Sequence, residues 1–223
     1  MQRKQNLSNE KANLFLFAQR GEAKQFIETA NKTDIFLHLA VDMDANLHSL
    51  LYWVRRSKNQ AIYNYLFQQY ENRYLLEQSH TKDYNRYFDY LWRAIIFNQP
   101  KTRVAEILSQ MPVINLVINN GEVSDALIED VYFAAIVNGY EAVVRKLSQH
   151  QKKFLDNSHV TPLMLAAATK QPEMTKLILE NIALFAKDNW HYAFIAKTFD
   201  ETVPEVIQYN DRLIHVIAKT NDV

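Results

Sequence analysis

The sequence predicts an all-α protein, a solenoid of about six stacked helix pairs, and three observations carry that expectation. Glycine is scarce: Gly21, Gly121 and Gly139 are the only three in 223 residues, about 1% against a usual share of roughly 7%. Folds built from tight primed hairpins need glycine at positive φ, so a β-rich chain is disfavoured. Proline stands where helices would begin, at Pro162 after Thr161 and at Pro172; at the first helical position its missing N–H costs nothing. Apolar residues then recur at i, i+3, i+4, as in Met174, Leu177 and Ile178, which is one buried helix face.

Taken in order, Leu14 to Ala18 followed by Gly21-Glu22-Ala23 and Phe26 reads as helix, turn, helix. Leu51 to Lys58, with Ile62 and Leu66, repeats that spacing: Val54 precedes Ile62 by 8 residues, as Ala135 precedes Val143. Ile62, Tyr65, Leu66, Tyr70 and Tyr74 continue a helix face toward Leu76, so this second helix is expected to be long. Leu91-Trp92-Arg93-Ala94-Ile95, then Pro100, Val104 and Leu108, make the next pair. Tyr132 to Leu147 fits the same frame and keeps Gly139 in its loop. The clearest pair follows. Thr161 is expected to cap its first helix, Ala166 and Ala167 permit close approach, and Glu173 complements the dipole of the second. Asn181 is a plausible left-handed stop, and a last weak copy runs from Tyr192 to Val206, with Pro204-Glu205 restarting a helix. The equivalent loop positions are 21, 58, 98, 139, 170 and about 199, with gaps of 37, 40, 41, 31 and 29.

Thr161-Pro162-Leu163-Met164-Leu165-Ala166-Ala167 resembles the signature of the ankyrin repeat, and Leu177-Ile178-Leu179 falls where that repeat places its second-helix leucines. Met164 stands where the family usually has histidine, and Lys170 and Ile182 replace its glycines. Ankyrin arrays repeat about every 33 residues, so the first three gaps imply extended second helices or inserted turns. The resemblance implies one ankyrin-like domain over 1–223, with longer, irregular pairs in 1–118 and more regular repeats in 119–223. Three glycines across the array imply that the projecting β-hairpin turns are reduced or missing.

The resemblance further implies a non-enzymatic module that binds a protein or peptide on a concave surface lined by the first helices, without a cofactor. In that frame Leu16, Trp53, Arg93, Ala134, Leu165 and Phe194 look toward the surface. One turn on come Gln19, Arg20, Arg56, Phe97, Asn138, Ala168, Thr169 and Lys197. Trp53, Arg56, Arg93, Phe97, Phe194 and Lys197 are the candidate partner-binding residues. The competing reading makes Trp53 and Phe97 ordinary core residues. Degenerate arrays of this kind occur in eukaryotic regulatory proteins and among proteins that intracellular bacteria deliver into host cells. A composition rich in Asn, Lys, Gln and Tyr fits an AT-rich genome and leans to the second.

Other chemistry is thinly represented. Without cysteine there is no disulfide, thiolate nucleophile or Cys-ligated metal. The seven histidines, His38, His48, His80, His150, His159, His191 and His215, form no compact ligand spacing. Asp42-Met43-Asp44 reads as a polar loop rather than a calcium loop. Asp125, Glu129 and Asp130 read as a solvated face near a helix start. Ser79-His80 and Ser158-His159 lack a nucleophile turn. Basic and acidic residues number 25 each, so no global charge draws the chain to nucleic acid or membrane. The exception is segment 50–110, where nine basic residues face five acidic ones among interleaved Tyr and Trp. RNA or single-stranded DNA binding there is the alternative function, although an excess of four charges is thin for tracking phosphates. Tyrosines filling gaps between helices rank first, a protein-binding surface second, nucleic acid third. The polar start Met1–Asn6 and the short run Leu14–Ala18 give no signal-peptide core. No run nears the roughly 20 apolar residues of a membrane span, so a cytoplasmic address is expected, or a host cytoplasm for a delivered protein.

Overall fold

The computed structural model describes residues 2–33, 35, 43–45, 47–78, 83–110, 118, 121–148 and 162–182. All regular structure among them is helical: α1 (Gln2–Arg20), α2 (Ala23–Ala30), α3 (Leu50–Ser57), α4 (Gln60–Gln78), α5 (Tyr84–Ile96), α6 (Lys101–Ser109), α7 (Asp125–Asn138), α8 (Glu141–Leu147), α9 (Pro162–Ala168) and α10 (Pro172–Ile182). The expected all-α class is what the chain adopts. The expected last copy from Tyr192 to Val206 and the cap at Thr161 lie outside the described residues, whereas Asn181 is not the expected left-handed stop, because α10 continues through it to Ile182.

The helices come in pairs, and each pair turns at a left-handed residue. Gly21 (φ 65°), Lys58 (φ 50°), Asn98 (φ 47°), Gly139 (φ 75°) and Lys170 (φ 55°) are five of the six loop positions read from the sequence, and the sixth, near 199, lies outside the described residues. Three of these ends close in the same way. The N–H of Gly21, Gly139 and Lys170 donates to the carbonyl three residues back, on Ala18, Ile136 and Ala167. The next N–H, on Glu22, Tyr140 and Gln171, reaches the carbonyls of Phe17, Ala135 and Ala166. This paired closure satisfies carbonyls that would otherwise be orphaned at a helix end. A left-handed residue carrying a Cβ costs about 1–2 kcal/mol. The chain accepts that at Lys58, Asn98 and Lys170, where it has no glycine to place.

The chain divides into two compact units, Met1–Ser79 with Ile96–Gln99, and His80–Ile95 with Pro100–Val223. In the first, α1 packs on its own partner α2 and on α3, while α2 packs on α4. First helix therefore lies on first helix, and second on second. Leu14, Ala18, Phe26, Leu50, Val54, Ile62 and Leu66 are sealed between them. The long second helix expected after Ile62 is α4, at 19 residues, and its length accounts for the wide gap between loop positions 58 and 98.

In the second unit, α7 packs on α8 and α9, α8 packs on α6 and α10, and α9 packs on α10. Val131 to Ile136 are six consecutive buried residues. A helical stretch apolar on every side must be enclosed rather than laid on a surface, and α7 packs on both α8 and α9. It starts at Ser124, whose hydroxyl accepts from the N–H of Leu127 at 3.2 Å, and ends at Gly139.

Side chains just after the left-handed residues tie one pair to the next. Asn59 uses both ends of its amide. Its oxygen accepts from the N–H of Ala61 and Ile62 to cap α4, and its nitrogen donates to the Gly21 carbonyl at 2.8 Å. Gln171 donates to the carbonyls of Ile136 and Val137 at 3.1 and 2.9 Å. A Cβ on Gly139 would stand 2.8 Å from the Gln171 side-chain oxygen, so this glycine provides both the turn and the room for the tie. Gly139→Ala is therefore expected to lower stability by about 1–2 kcal/mol. Lys170→Gly, which relieves strain without removing a contact, should raise it by about 0.5–1 kcal/mol. Urea midpoints of the two variants check both signs.

Burial also leaves a pH signature. Tyr140 is 4% exposed, and desolvation pushes its phenol up to about 12 from an ordinary 10.0. Burial raises Tyr63 as well, partly opposed by Arg55. The folded state thus favours the neutral phenol. Its contribution to stability is complete below pH 10 and is lost as pH climbs toward 12. Between those values the stability of Tyr140→Phe should fall less steeply than that of the wild type, as read by circular dichroism in denaturant.

Candidate functional site

The residues ahead of α3 make the most organised polar structure in the first unit. Met43 and Ser49 form an antiparallel bridge, and the chain between them reverses through Leu47 at φ 64°. Asp44 holds the reversal together. Its N–H donates to the His48 carbonyl at 2.9 Å, and its carbonyl accepts from the Leu47 N–H at 3.0 Å. One carboxylate oxygen accepts from the His48 N–H at 2.9 Å. The other accepts from the Trp53 indole N–H at 2.8 Å. Aspartate is suited to this because its short carboxylate reaches backbone donors in its own turn. Ser49 then caps α3, its hydroxyl accepting from the Tyr52 N–H at 3.0 Å.

Three rings gather on this frame. His48 stacks on Tyr52 with centroids 4.2 Å apart and planes 10° from parallel. Trp53 stands nearly perpendicular to both, 5.4 Å from His48 and 5.1 Å from Tyr52. Arg56 completes the group, its guanidinium 5.9 Å from the Tyr52 ring centre and donating to the Tyr52 hydroxyl at 3.1 Å. The spacing of Tyr52 and Arg56, one helical turn apart, makes this pairing possible. His48 also lies 3.8 Å from the Asp44 carboxylate, an ion pair when the imidazole is protonated. Trp53 and Tyr52 are half-buried and Arg56 is exposed. Leu47, at the tip of the turn, is 69% exposed and Met43 39%.

The other candidate residues fall elsewhere. Arg93 is half-buried in the second unit, its Nε donating to Asp89 at 3.0 Å and its guanidinium 5.8 Å from the Trp92 ring. Phe97 is fully enclosed in the first unit, its ring 6.1 Å from Tyr63. It has no surface to offer a partner, which corrects its assignment as a binding residue. The frame misleads because the burial of Phe97 is decided by what packs against it, Tyr63 among others. Ala134 and Leu165, placed on the open face by the same frame, are also fully buried. Phe194 and Lys197 lie outside the described residues, as do Asp42 and every histidine except His48. Of the tyrosines interleaved in segment 50–110, Tyr63, Tyr74, Tyr87 and Tyr90 are core residues. Tyr87 donates to the Ile107 carbonyl, and Tyr90 accepts from Arg103 at 3.2 Å.

Trp53 and Arg56 are thus brought together, through Tyr52. Asp44, His48 and Tyr52 are the members that sequence reasoning passed over. The signal for Tyr52 was its turn-by-turn spacing between His48 and Arg56. For Asp44 it was only the general turn preference of aspartate. Among the described residues no three acidic or histidine side chains converge to hold a metal, and no helix is long and apolar enough to cross a membrane. Comparison with protein-family models, curated proteins and solved structures finds no match to this chain. Asp44→Ala leaves the Trp53 N–H without its acceptor and unpins the turn. It is expected to cost about 1–2 kcal/mol and to move the Trp53 indole resonance in a ¹H–¹⁵N spectrum, identified by its loss in Trp53→Phe.

Proposed function

We propose that the chain is a non-enzymatic binding module, an ankyrin-like α-solenoid that captures a protein or peptide and serves as a regulatory or effector-type adaptor. The observation that carries this reading is the tip of the turn at 43–49. A leucine there is both strained, at φ 64°, and 69% exposed. Neither property aids folding, and a strained residue held in place by its surroundings supports a role in a contact made with something else. Beside it stand Trp, Tyr and Arg, the residue types that dominate the energetics of protein interfaces.

The helix pairs support the solenoid. Within each unit, first helices stack on first and second on second, and the turns recur at positions 21, 58, 98, 139 and 170. Stacked pairs of this sort form rigid surfaces whose exposed residues are free to serve binding. Rigidity helps affinity, because little needs to be ordered when the partner arrives. Nucleic-acid binding through segment 50–110 draws less support. Four of its tyrosines fill the core, so their ring faces are not available to stack bases.

The test is an affinity capture from cell lysate, comparing the wild type with Trp53→Ala/Arg56→Ala. The double variant is expected to lose bound partner at least about tenfold while its helical circular dichroism stays unchanged. Full retention of the same partners by a folded double variant would remove this face from the binding surface.

A further inference from the structure

We propose that His48 is a proton-operated latch on the turn at 43–49. When the imidazole is protonated, its Nδ1–H bonds the Asp44 carboxylate and clamps the turn to Trp53. When it is neutral, that bond is missing. The latch belongs to the turn itself and stands whether or not the face beside it captures a peptide.

The argument starts from one unsatisfied atom. His48 Nδ1 is buried and has no hydrogen-bond partner among the described residues. A buried polar atom left in this way destabilises the fold unless some other state of the molecule satisfies it. Asp44 Oδ2 stands 3.8 Å away, beyond hydrogen-bond reach. Neutral imidazole does not repair this. As an acceptor, Nδ1 faces an ionised carboxylate with no proton to give. As a donor, it stands about 1 Å beyond the usual length of a bond to a charged oxygen.

Protonation changes the balance. It sets a positive charge beside a carboxylate that is only 16% exposed, where water screens the attraction less than at an open surface. A movement of about 1 Å then closes the bond. Oδ2 already accepts the Trp53 indole N–H at 2.8 Å, and a carboxylate oxygen has room for a second donor. The imidazolium would share that oxygen with the indole and join the turn to α3. The Tyr52 ring, stacked 4.2 Å from the imidazole, also favours the charged form over the neutral one. The imidazole side chain is 38% exposed, so a proton reaches it from water while the chain stays folded.

The surrounding charges leave Asp44 in command. On α3, Arg56 lies 5.9 Å from the Tyr52 ring centre and opposes a second cation there, while Arg55 acts on the Tyr63 phenol. α1 packs on α3 and carries Glu10, Lys11 and Arg20. None of these three forms a hydrogen bond or ion pair with the imidazole, whose side-chain partners among the described residues are Asp44, Tyr52 and Trp53. The latch therefore holds while the imidazole is charged. It is lost as pH rises through the histidine range, between about pH 5 and pH 8.

The test follows the full chain by NMR across that range. The His48 ring nitrogens and the Trp53 indole are assigned by their loss in His48→Gln and Trp53→Phe. The His48 amide, which donates to Asp44, is expected to be at least about tenfold better protected from hydrogen exchange at the acid end, after correction for intrinsic rates. The indole resonance should move together with the His48 ring nitrogens. Both responses should vanish in His48→Gln, whose side chain is polar and does not titrate. Asp44→Asn, which keeps an acceptor for the indole but not the charge, should abolish the difference in protection while the ring still titrates. Equal protection at both ends of the range in the wild type overturns the latch, as does an indole response that survives in a helical His48→Gln. If His48→Gln unfolds, Asp44→Asn decides: a protection difference retained there overturns the latch, and its loss supports it. Neither readout involves a partner, so the result is separate from the fate of the binding module.

Discussion

Each helix pair turns on a residue in the left-handed region, and that one conformation fixes where the neighbouring groups go. It reverses the chain after the first helix and brings the next N–H back onto the carbonyl five residues earlier, as at Glu22, Tyr140 and Gln171. It also leaves the following side chain pointing at the adjacent pair. Asn59 and Gln171 exploit that direction, reaching the carbonyls around the preceding turn. The tie is made to backbone, although at Gly139 it also needs the room that a missing Cβ leaves. This is how the same joint works at Gly21 and Gly139 and also at Lys58 and Lys170.

The scarcity of glycine is thus less restrictive than it looks. It costs about 1–2 kcal/mol wherever lysine or asparagine takes the left-handed place. That cost is smaller than the gain from seating two apolar helices. Burying one large aliphatic side chain contributes about 1.5–3 kcal/mol, and each pair buries several, such as Leu50, Val54, Ile62 and Leu66. Where close approach leaves no room, as at Gly139 beneath Gln171, glycine is present.

This balance explains what could be read from the sequence. Loop positions were legible because the spacing of apolar stripes repeats around them, even where no glycine marks the turn. The long α4 was legible from its helix face running through Ile62, Leu66 and Tyr74. Which side of a first helix faces outward was not. Ala134, Leu165 and Trp53 share one frame position, yet the first two are sealed and the third is half-buried. That difference depends on what packs against each helix, which a single stretch of sequence does not carry. Phe97 failed for the same reason. Asp44 was hidden differently: its acceptor role joins a turn residue to an indole 9 positions later, a pairing that follows neither helical nor strand periodicity.

The turn at 43–49 reverses the logic of the other joints. At Lys58, Asn98 and Lys170 a left-handed residue is strained but polar and at ease in water. Leu47 is strained and apolar and projects into water. Asp44 offsets the strain by accepting two side-chain bonds and anchoring two backbone ones, each contributing about 1 kcal/mol net. Those bonds also fix Trp53 and His48, which hold Tyr52, which in turn steadies Arg56. The interactions that make an unfavourable tip affordable are therefore the ones that preorganise the face beside it. A turn of this composition is held in place by its own network, so little conformational entropy would remain to be lost in ordering it.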